Sequence, residues 1–418
     1  MLQNHKWKVA TFLLAGILTA TLIVTPVIAQ AETAATTTSA VTSTASAITA
    51  TGPAIVPDMN FVGPEIKLSL NQAVLLTLTT SSGIESAKIK KMNNLAKTEE
   101  YFQTISSYAQ QDKMEENASK LGYSFAYSGT SRTAKEMARL AADFATAQSP
   151  KNYDAELNTL RRNAVKQYFE TLQARDTVRI AQDNVKAQET LLRNTNAKFK
   201  LGLVAKKDVL SAEVSLNEAK TSLLGAQNAY ATKQMRLNQY FEFPLMQKTT
   251  LTDTLAVKDP VLMPLTEAIA KALANRNEIA GANFGLAYQT LNLKEAGNNY
   301  SHYSAAYYKA QYTYMDAQKT AKDAPVDVEI DVREKFMQVQ AAKASVELGK
   351  LNVAKSKESY RMINSSYQLG MKTLADVQNA QLGVVKSEND LSENYLAYQL
   401  AIIDYEQAVT VGTYLVQF

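Results

Sequence analysis

The sequence predicts a mainly α-helical protein built from two tandem repeats of a long antiparallel helical hairpin. After Pro64 only five prolines remain, and they leave proline-free runs of 85, 93, 60 and 93 residues. Such runs are far longer than an average globular helix or loop requires. Apolar residues recur at helical spacing in these runs, and two blocks of sequence occur twice in the same order. These observations predict that one unit of very long helices occurs twice in the chain.

Residues 1–31 are typical of a secretory signal peptide. Lys6 and Lys8 supply a positive start, residues 12–29 form an apolar stretch, and the tripeptide AQA provides a small-x-small cleavage site. An uncleaved membrane anchor is the alternative, because the apolar stretch is close in length to a membrane span. Residues 32–64 are rich in Ser, Thr, Ala and Pro, which predicts a lead-in segment that buries no core.

Two separate blocks carry the internal repeat. Residues 199–230 and 367–398 align without a gap at an offset of 168. Residues 68–87 and 263–282, which open the two copies, align at an offset of 195. Because both blocks match in the same order, we interpret the chain as a duplicated unit with an insertion in the first copy.

Each copy contains a long amphipathic helix. Apolar residues at helical spacing from 154 to 200 predict a rod on the order of 70 Å, at about 1.5 Å per residue. Residues 326–368 form its partner in the second copy. Pro150 and Pro325 stand just before these segments, and proline is favoured in the first turn of a helix. The sequence therefore predicts that each proline starts a rod.

Both rods end in a Leu-Gly turn, at 201–208 and at 369–376. Glycine readily takes the left-handed conformation that closes a helix, and each turn leads into another proline-free helical run. Asp208 and Asp376 fall near the start of the new helix, where a negative charge suits the helix dipole. Each copy is therefore predicted to be a helical hairpin with a glycine turn at its tip.

The repeat also divides the chain into domains. We expect a first helical repeat at 65–250, an inter-repeat connection at 251–264 and a second helical repeat at 265–418. Hairpins with apolar residues on more than one side need lateral neighbours beyond the chain itself, which predicts an oligomer.

Composition argues against enzymatic chemistry and against nucleic acid as a partner. The chain has no cysteine and only two histidines, so thiolate chemistry and multi-histidine metal sites are not expected. No phosphate loop or nucleophile elbow is present. The 44 basic side chains nearly balance the 40 acidic ones, which gives no support to a polyanionic partner. We expect neither a cofactor nor catalysis.

Two motifs resemble one known family. The pattern LG-[LM]-x(4)-DV-x(2)-A occurs at 201–212 and again at 369–380. The opening block L-[NT]-[QE]-A-[VI] occurs at 70–74 and at 265–269. Over residues 65–412 the chain resembles the TolC-like outer-membrane efflux protein family.

The resemblance implies a homotrimer that forms an oligomeric α-helical tunnel, with a β-barrel at one end and a narrow tip at the other. The two Leu-Gly turns would form the tip and contact a membrane-fusion adaptor protein, which couples the tunnel to an inner-membrane pump or transporter. Substrates would pass through unaltered. The resemblance also implies that the protein is exported and is located in the outer membrane and the periplasm-spanning cell envelope.

The resemblance also suggests individual tip residues. Adaptor docking is expected at Leu201, Gly202, Leu203, Leu369, Gly370 and Met371. A candidate tip gate comprises Lys207, Asp208, Tyr367, Lys372, Asp376 and Asn379. In the family, the positions of Asp208 and Tyr367 link neighbouring hairpins, whereas Lys207 and Lys372 would repel each other here. Asn379 replaces an acid that forms a pore ring in some members. The alternative interpretation of both aspartates is that they only stabilise a helix start.

The membrane end departs from the family pattern. Two strands per repeat are expected there, but only 122–129 shows clean apolar alternation. The tyrosine-rich segment 300–315 suits either a helix face or a strand. We therefore expect the β-barrel part to be reduced or absent. Segments 119–132 and 300–315 are the candidates for membrane contact, and the alternative, which we favour for the tyrosines, is that they are packing and lumen-lining residues. A secreted helical coiled-coil scaffold of the cell envelope, without transport activity, is the rival hypothesis.

Overall fold

The computed structural model describes residues 61–121, 131–256 and 260–417. The expected signal peptide at 1–31, nearly all of the lead-in segment and the alternating segment at 122–129 lie outside the described residues. The described part contains eight helices and two strands. In chain order these are β1 (Val62–Leu68), α1 (Leu70–Thr79), α2 (Ser82–Lys120), α3 (Arg132–Lys200), α4 (Lys206–Tyr240), β2 (Gln247–Leu251), α5 (Leu265–Asn275), α6 (Asn277–Asn299), α7 (Ala305–Gln368) and α8 (Leu374–Ala408).

The helices confirm the predicted fold class of two tandem helical hairpins. Each copy has a short helix, a break, a second helix, a very long helix, a glycine turn and a final helix. The long helices α3 and α7 contain 69 and 64 residues, and their hairpin partners α4 and α8 contain 35 residues each. Helix α2 packs on the first part of α3, and α6 packs on the first part of α7. Each half is therefore a long hairpin with a shorter helix beside its base.

The prediction that Pro150 and Pro325 start the rods is wrong. Both prolines lie inside a continuous helix, because α3 and α7 begin well before them. An interior proline removes one backbone hydrogen bond and costs about 3 kcal/mol. Packing offsets that cost, since Ala145 and Ala155 flank Pro150 and are fully buried. The rods are consequently longer than predicted, with α3 on the order of 100 Å at about 1.5 Å per residue.

The tyrosine-rich segment 300–315 is a turn followed by the first turns of α7, and not a strand. Ser304 caps the helix by accepting a hydrogen bond from the backbone N–H of Tyr307 at 3.2 Å. Tyr303, Tyr308 and Tyr312 stay exposed. None of the described helices combines the length and the apolar character that crossing a membrane requires.

A short parallel pair of strands joins the starts of the two copies. Leu68 of β1 pairs with Leu251 of β2, so the strand before α1 lies beside the strand that precedes α5. Tyr168 of α3 is fully buried next to this pair, and its hydroxyl donates to Asp253 Oδ2 at 2.6 Å. Burial, followed by the Asp253 carboxylate, raises the pKa of Tyr168. The strands thus fasten the base of the first hairpin to the connection between the copies.

The two hairpins lie side by side through α3 and α8. Arg162 Nη2 donates to Asp404 Oδ2 at 3.1 Å, and Gln381 Nε2 donates to Asn184 Oδ1 at 3.2 Å nearer the glycine turns. The hydrogen bond and nearby charge of Asp404 raise the pKa of Arg162. This contact places both hairpin tips at the same end of the molecule.

Candidate functional site: the paired tip turns

The first tip turn is a complete Schellman motif. Gly202 has φ +72°, in the left-handed region. Its N–H donates to Phe199 O at 2.9 Å, and the N–H of Leu203 donates to Lys198 O at 2.9 Å. These two bonds satisfy carbonyls that the end of α3 would otherwise leave unpaired.

The second tip turn repeats that backbone. Gly370 has φ +78°, its N–H donates to Tyr367 O at 3.1 Å, and the N–H of Met371 donates to Ser366 O at 2.9 Å. A Cβ atom added at either tip glycine would meet no atom within 4 Å. Glycine is therefore required here by the left-handed backbone and not by crowding.

The two aspartates cap the helices that follow the turns. Asp376 Oδ2 accepts from the N–H and the hydroxyl of Thr373, both at 2.9 Å, and Thr373 Oγ1 accepts from the Asp376 N–H at 3.2 Å. This is a capping box, and the hydrogen bonds from Thr373 lower the pKa of Asp376. Asp208 Oδ2 accepts only from the N–H of Ala205 at 3.1 Å, because alanine has no hydroxyl. Each carboxylate serves the start of its own helix.

Tyr367 connects the two hairpins. It is buried, and its hydroxyl lies 3.2 Å from the hydroxyl of Thr195 on α3. Lys198 Nζ donates to Tyr367 O at 2.6 Å and stands 3.9 Å from the centre of the Tyr367 ring. We call Thr195, Lys198 and Tyr367 the tip clamp. Around it packs a small apolar cluster of Leu191, Ala212, Leu374 and Val377.

Sequence reasoning missed two residues of this clamp. Lys198 lies in the last turn of α3, where a basic side chain stabilises the helix terminus. A lysine at this position is therefore only a weak indication of a further role. Thr195 lies three residues earlier and therefore on the same helix face. Their shared target could not be read from the sequence, because it lies on another helix 172 residues beyond Thr195.

The two tips differ in side chains although their backbones match. Phe199 occupies the position of Tyr367 at the repeat offset, but it is 40% exposed. Its ring lies 5.8 Å from Lys206 Nζ, at the outer limit of a cation–π contact. The first copy therefore places an exposed aromatic ring where the second copy has a buried one.

A cleft of about 700 Å³ separates the tips and is lined by both turns. Four of the predicted gate residues line it, namely Lys207, Asp208, Tyr367 and Lys372. Asp376 and Asn379 are outside the lining, and Asn379 is exposed on α8. The structure thus brings most of the predicted gate residues together, while Tyr367 takes its partners from α3.

The tip presents large apolar side chains to solvent. Leu201 is 73% exposed, Leu203 69%, Leu369 74% and Met371 68%. We call these four residues the apolar tip surface. Exposed apolar side chains grouped at one end of a protein are common at interaction surfaces.

Fold and tip together define a fold class, that of proteins with two paired long helical hairpins. The fold resembles the Campylobacter jejuni CmeC outer membrane channel, with TM-score 0.62, 13% identity, and 82% of this chain and 86% of that chain covered. The Vibrio cholerae outer membrane protein VceC gives TM-score 0.59, 13% identity, and coverage of 82% and 97%. The open-state Neisseria gonorrhoeae MtrE outer membrane channel gives TM-score 0.58 and 13% identity, with 82% of this chain and 90% of that chain covered.

The sequence supports the same family. Residues 86–241, from α2 to the end of α4, match the model of the outer membrane efflux protein family. Among curated proteins, none matches the chain in sequence. The family match thus confirms the resemblance to the TolC-like outer-membrane efflux family over the first hairpin, and the solved outer membrane channels share the fold over 82% of this chain.

Proposed function

We propose that the chain is a subunit of an oligomeric efflux or export channel of the cell envelope. It docks through its two tip turns with a membrane-fusion adaptor, which couples it to an inner-membrane pump or transporter. The observation that carries this proposal is the pair of hairpins that end side by side in the same Schellman turn with exposed Leu and Met side chains. The family match over residues 86–241 supports it.

One face of α7 supports assembly of several copies. Nine large side chains on this helix are exposed, and at about 100° per residue they fall within an arc of about 60°. The stripe runs on the order of 80 Å along the helix. We call this set the α7 stripe: Tyr308, Tyr312, Met315, Val326, Ile330, Met337, Leu348, Leu351 and Met362.

The internal repeat suggests what covers this stripe. At the offset of 168, Arg162 on α3 corresponds to Ile330, and Phe169 corresponds to Met337. On α3 these positions lie against α8, since Arg162 pairs with Asp404 of α8 and buried Phe169 belongs to a cluster that Ile403 of α8 contacts. If successive hairpins repeat one contact, the α7 stripe packs on α4 of a second copy, as α3 packs on α8 within the chain.

Repetition of that contact closes a ring of hairpins around a central bore. The homotrimer that the family resemblance implies would place six hairpins in the ring. Substrates would pass along the bore without chemical change. In this arrangement the tyrosine-rich end of α7 lies at the opposite end of the channel from the tips. We propose that residues 300–315 lie at the end of the channel that is near the membrane.

Light scattering and electron microscopy of the purified mature chain in detergent test the assembly. We expect a discrete oligomer with a visible bore. Met337→Glu with Leu348→Glu should dissociate it, because two unpaired charges would be buried in the contact. Gln338→Glu with Asn352→Glu places the same charges at exposed α7 positions outside the stripe and should leave the oligomer intact. A monomeric wild type, or equal dissociation by both pairs, would contradict the arrangement.

The rival hypothesis of a non-conducting envelope scaffold needs a transport measurement. Efflux of a fluorescent substrate is compared in cells that carry the wild type, the Gly202→Val/Gly370→Val double variant, or no copy of the chain. The channel proposal expects efflux to fall to the level of the deletion strain in the double variant, with helicity unchanged. A scaffold would leave efflux the same in all three strains.

A further inference from the structure

Positive charge is concentrated at one of the two tips. Residues 198–208 contain four lysines and one aspartate, a net charge of +3, whereas the equivalent residues 366–376 contain one lysine and one aspartate and are neutral. The two tip turns therefore differ by three charges although their backbones match.

Most of this charge is available to a partner. Lys200, Lys206 and Lys207 are exposed, and no ion pair involves them within the described parts of the chain. Lys198 is already engaged in the tip clamp. The carboxylate of Asp208 points back to the N–H of Ala205 at the start of its own helix.

Apolar side chains share the surface with these lysines. Leu201 and Leu203 lie between Lys200 and Lys206 in the chain and are exposed on the same turn. On this surface the leucines favour a partner with apolar side chains, and the lysines favour a partner with negative charge. Only a partner that is both apolar and acidic matches the whole surface. An uncharged apolar partner would leave three lysines beside the contact without a counter-charge.

We propose that the partner segment that meets the first tip turn is acidic as well as apolar, and that the first tip supplies the electrostatic part of docking. The second tip, with Leu369 and Met371 and a neutral turn, supplies mainly apolar contact. This inference rests on the proposed function and names the chemistry of the partner at that site. Because exposed charges chiefly control association, it expects faster association at low ionic strength.

The test uses the full-length mature chain and two synthetic helical hairpin peptides, whose turns carry leucine with either glutamate or lysine. Binding is measured by surface plasmon resonance at low and high ionic strength. We expect the glutamate peptide to bind and the lysine peptide not to bind. Lys200→Gln/Lys206→Gln/Lys207→Gln should weaken binding on the order of tenfold at low salt, since each exposed charge contributes modestly. Lys372→Gln should weaken it by less than about threefold.

A matched control removes three exposed lysines elsewhere, in Lys88→Gln/Lys220→Gln/Lys386→Gln. Equal weakening in this control, or binding of both peptides alike, would overturn the proposal. Binding of the wild type to vesicles with anionic headgroups, lost in the first triple variant, together with no binding of the glutamate peptide, would also overturn it in favour of a membrane surface.

Failure of this inference is distinguishable from failure of the channel proposal. If charge at the first tip is irrelevant but Gly202→Val/Gly370→Val still abolishes efflux, the tip docks with a partner that is not acidic. If efflux never depends on the chain, the channel proposal itself fails.

Discussion

Replacement of Lys198 by methionine should loosen the tip clamp by about 2 kcal/mol. The lysine donates to Tyr367 O at 2.6 Å, and a hydrogen bond with a charged donor contributes about 1.5–3 kcal/mol. Its contact with the Tyr367 ring at 3.9 Å adds about 0.5–1 kcal/mol at a partly exposed site. Since Lys198 is half-exposed, the lower end of the range applies. Methionine keeps an unbranched apolar chain of similar length, so the change isolates the charged group.

Native-state hydrogen exchange measures this loss where it occurs. The ends of α3 and α7 next to the turns should open more often, and about 2 kcal/mol corresponds to exchange about 30-fold faster. Amides near β1 and β2, at the base of the hairpin, should be unchanged. Lys220→Met is the control, because Lys220 is exposed on α4 away from the clamp.

A double-mutant cycle decides whether the two residues act together. Tyr367→Leu removes the ring and the hydroxyl and should also speed exchange at the tip, but it keeps Tyr367 O, which accepts from Lys198. The double variant should therefore be less affected than the sum of the single effects by the ring contribution alone, about 0.5–1 kcal/mol. A change of less than about threefold in Lys198→Met would refute the view that Lys198 holds the hairpins together through Tyr367 O, whereas simple additivity in the cycle would refute only the ring contact.

Three further predictions concern local backbone and charge. Replacement of Pro150 by alanine should stabilise the chain by up to about 3 kcal/mol, seen as a higher urea midpoint, because the proline lies inside α3. Gly202→Ala and Gly370→Ala should each cost about 1 kcal/mol in the same assay, since both glycines have positive φ and open space around Cβ. The folded-state pKa of Asp376 is lowered by Thr373, so its cap contributes above the unfolded pKa and is lost as pH falls through the folded value. NMR at decreasing pH should show the start of α8 fraying in the wild type, and in Asp376→Asn a start that is frayed to the same extent at every pH.

The sequence by itself determined the features that depend on short stretches of chain. Glycine after a leucine closes each rod because only that residue takes the left-handed conformation without strain. An acid three residues into the next helix reaches back to its free N–H groups, as Asp208 and Asp376 do. The internal repeat and the helical spacing of apolar residues predicted the two hairpins, because the local helix and turn preferences of the sequence agree with that fold.

Tertiary structure alone decided the features that depend on which helix face meets which neighbour. The preference of proline for the first turn of a helix predicted that Pro150 starts a rod. In the structure α3 continues past Pro150, because buried alanines on both sides pack against neighbouring elements. Thr195 and Lys198 meet Tyr367 only because the hairpins pack side by side. Exposure of the α7 stripe likewise follows from packing, because helical spacing shows that a face is apolar but not whether the same chain covers it.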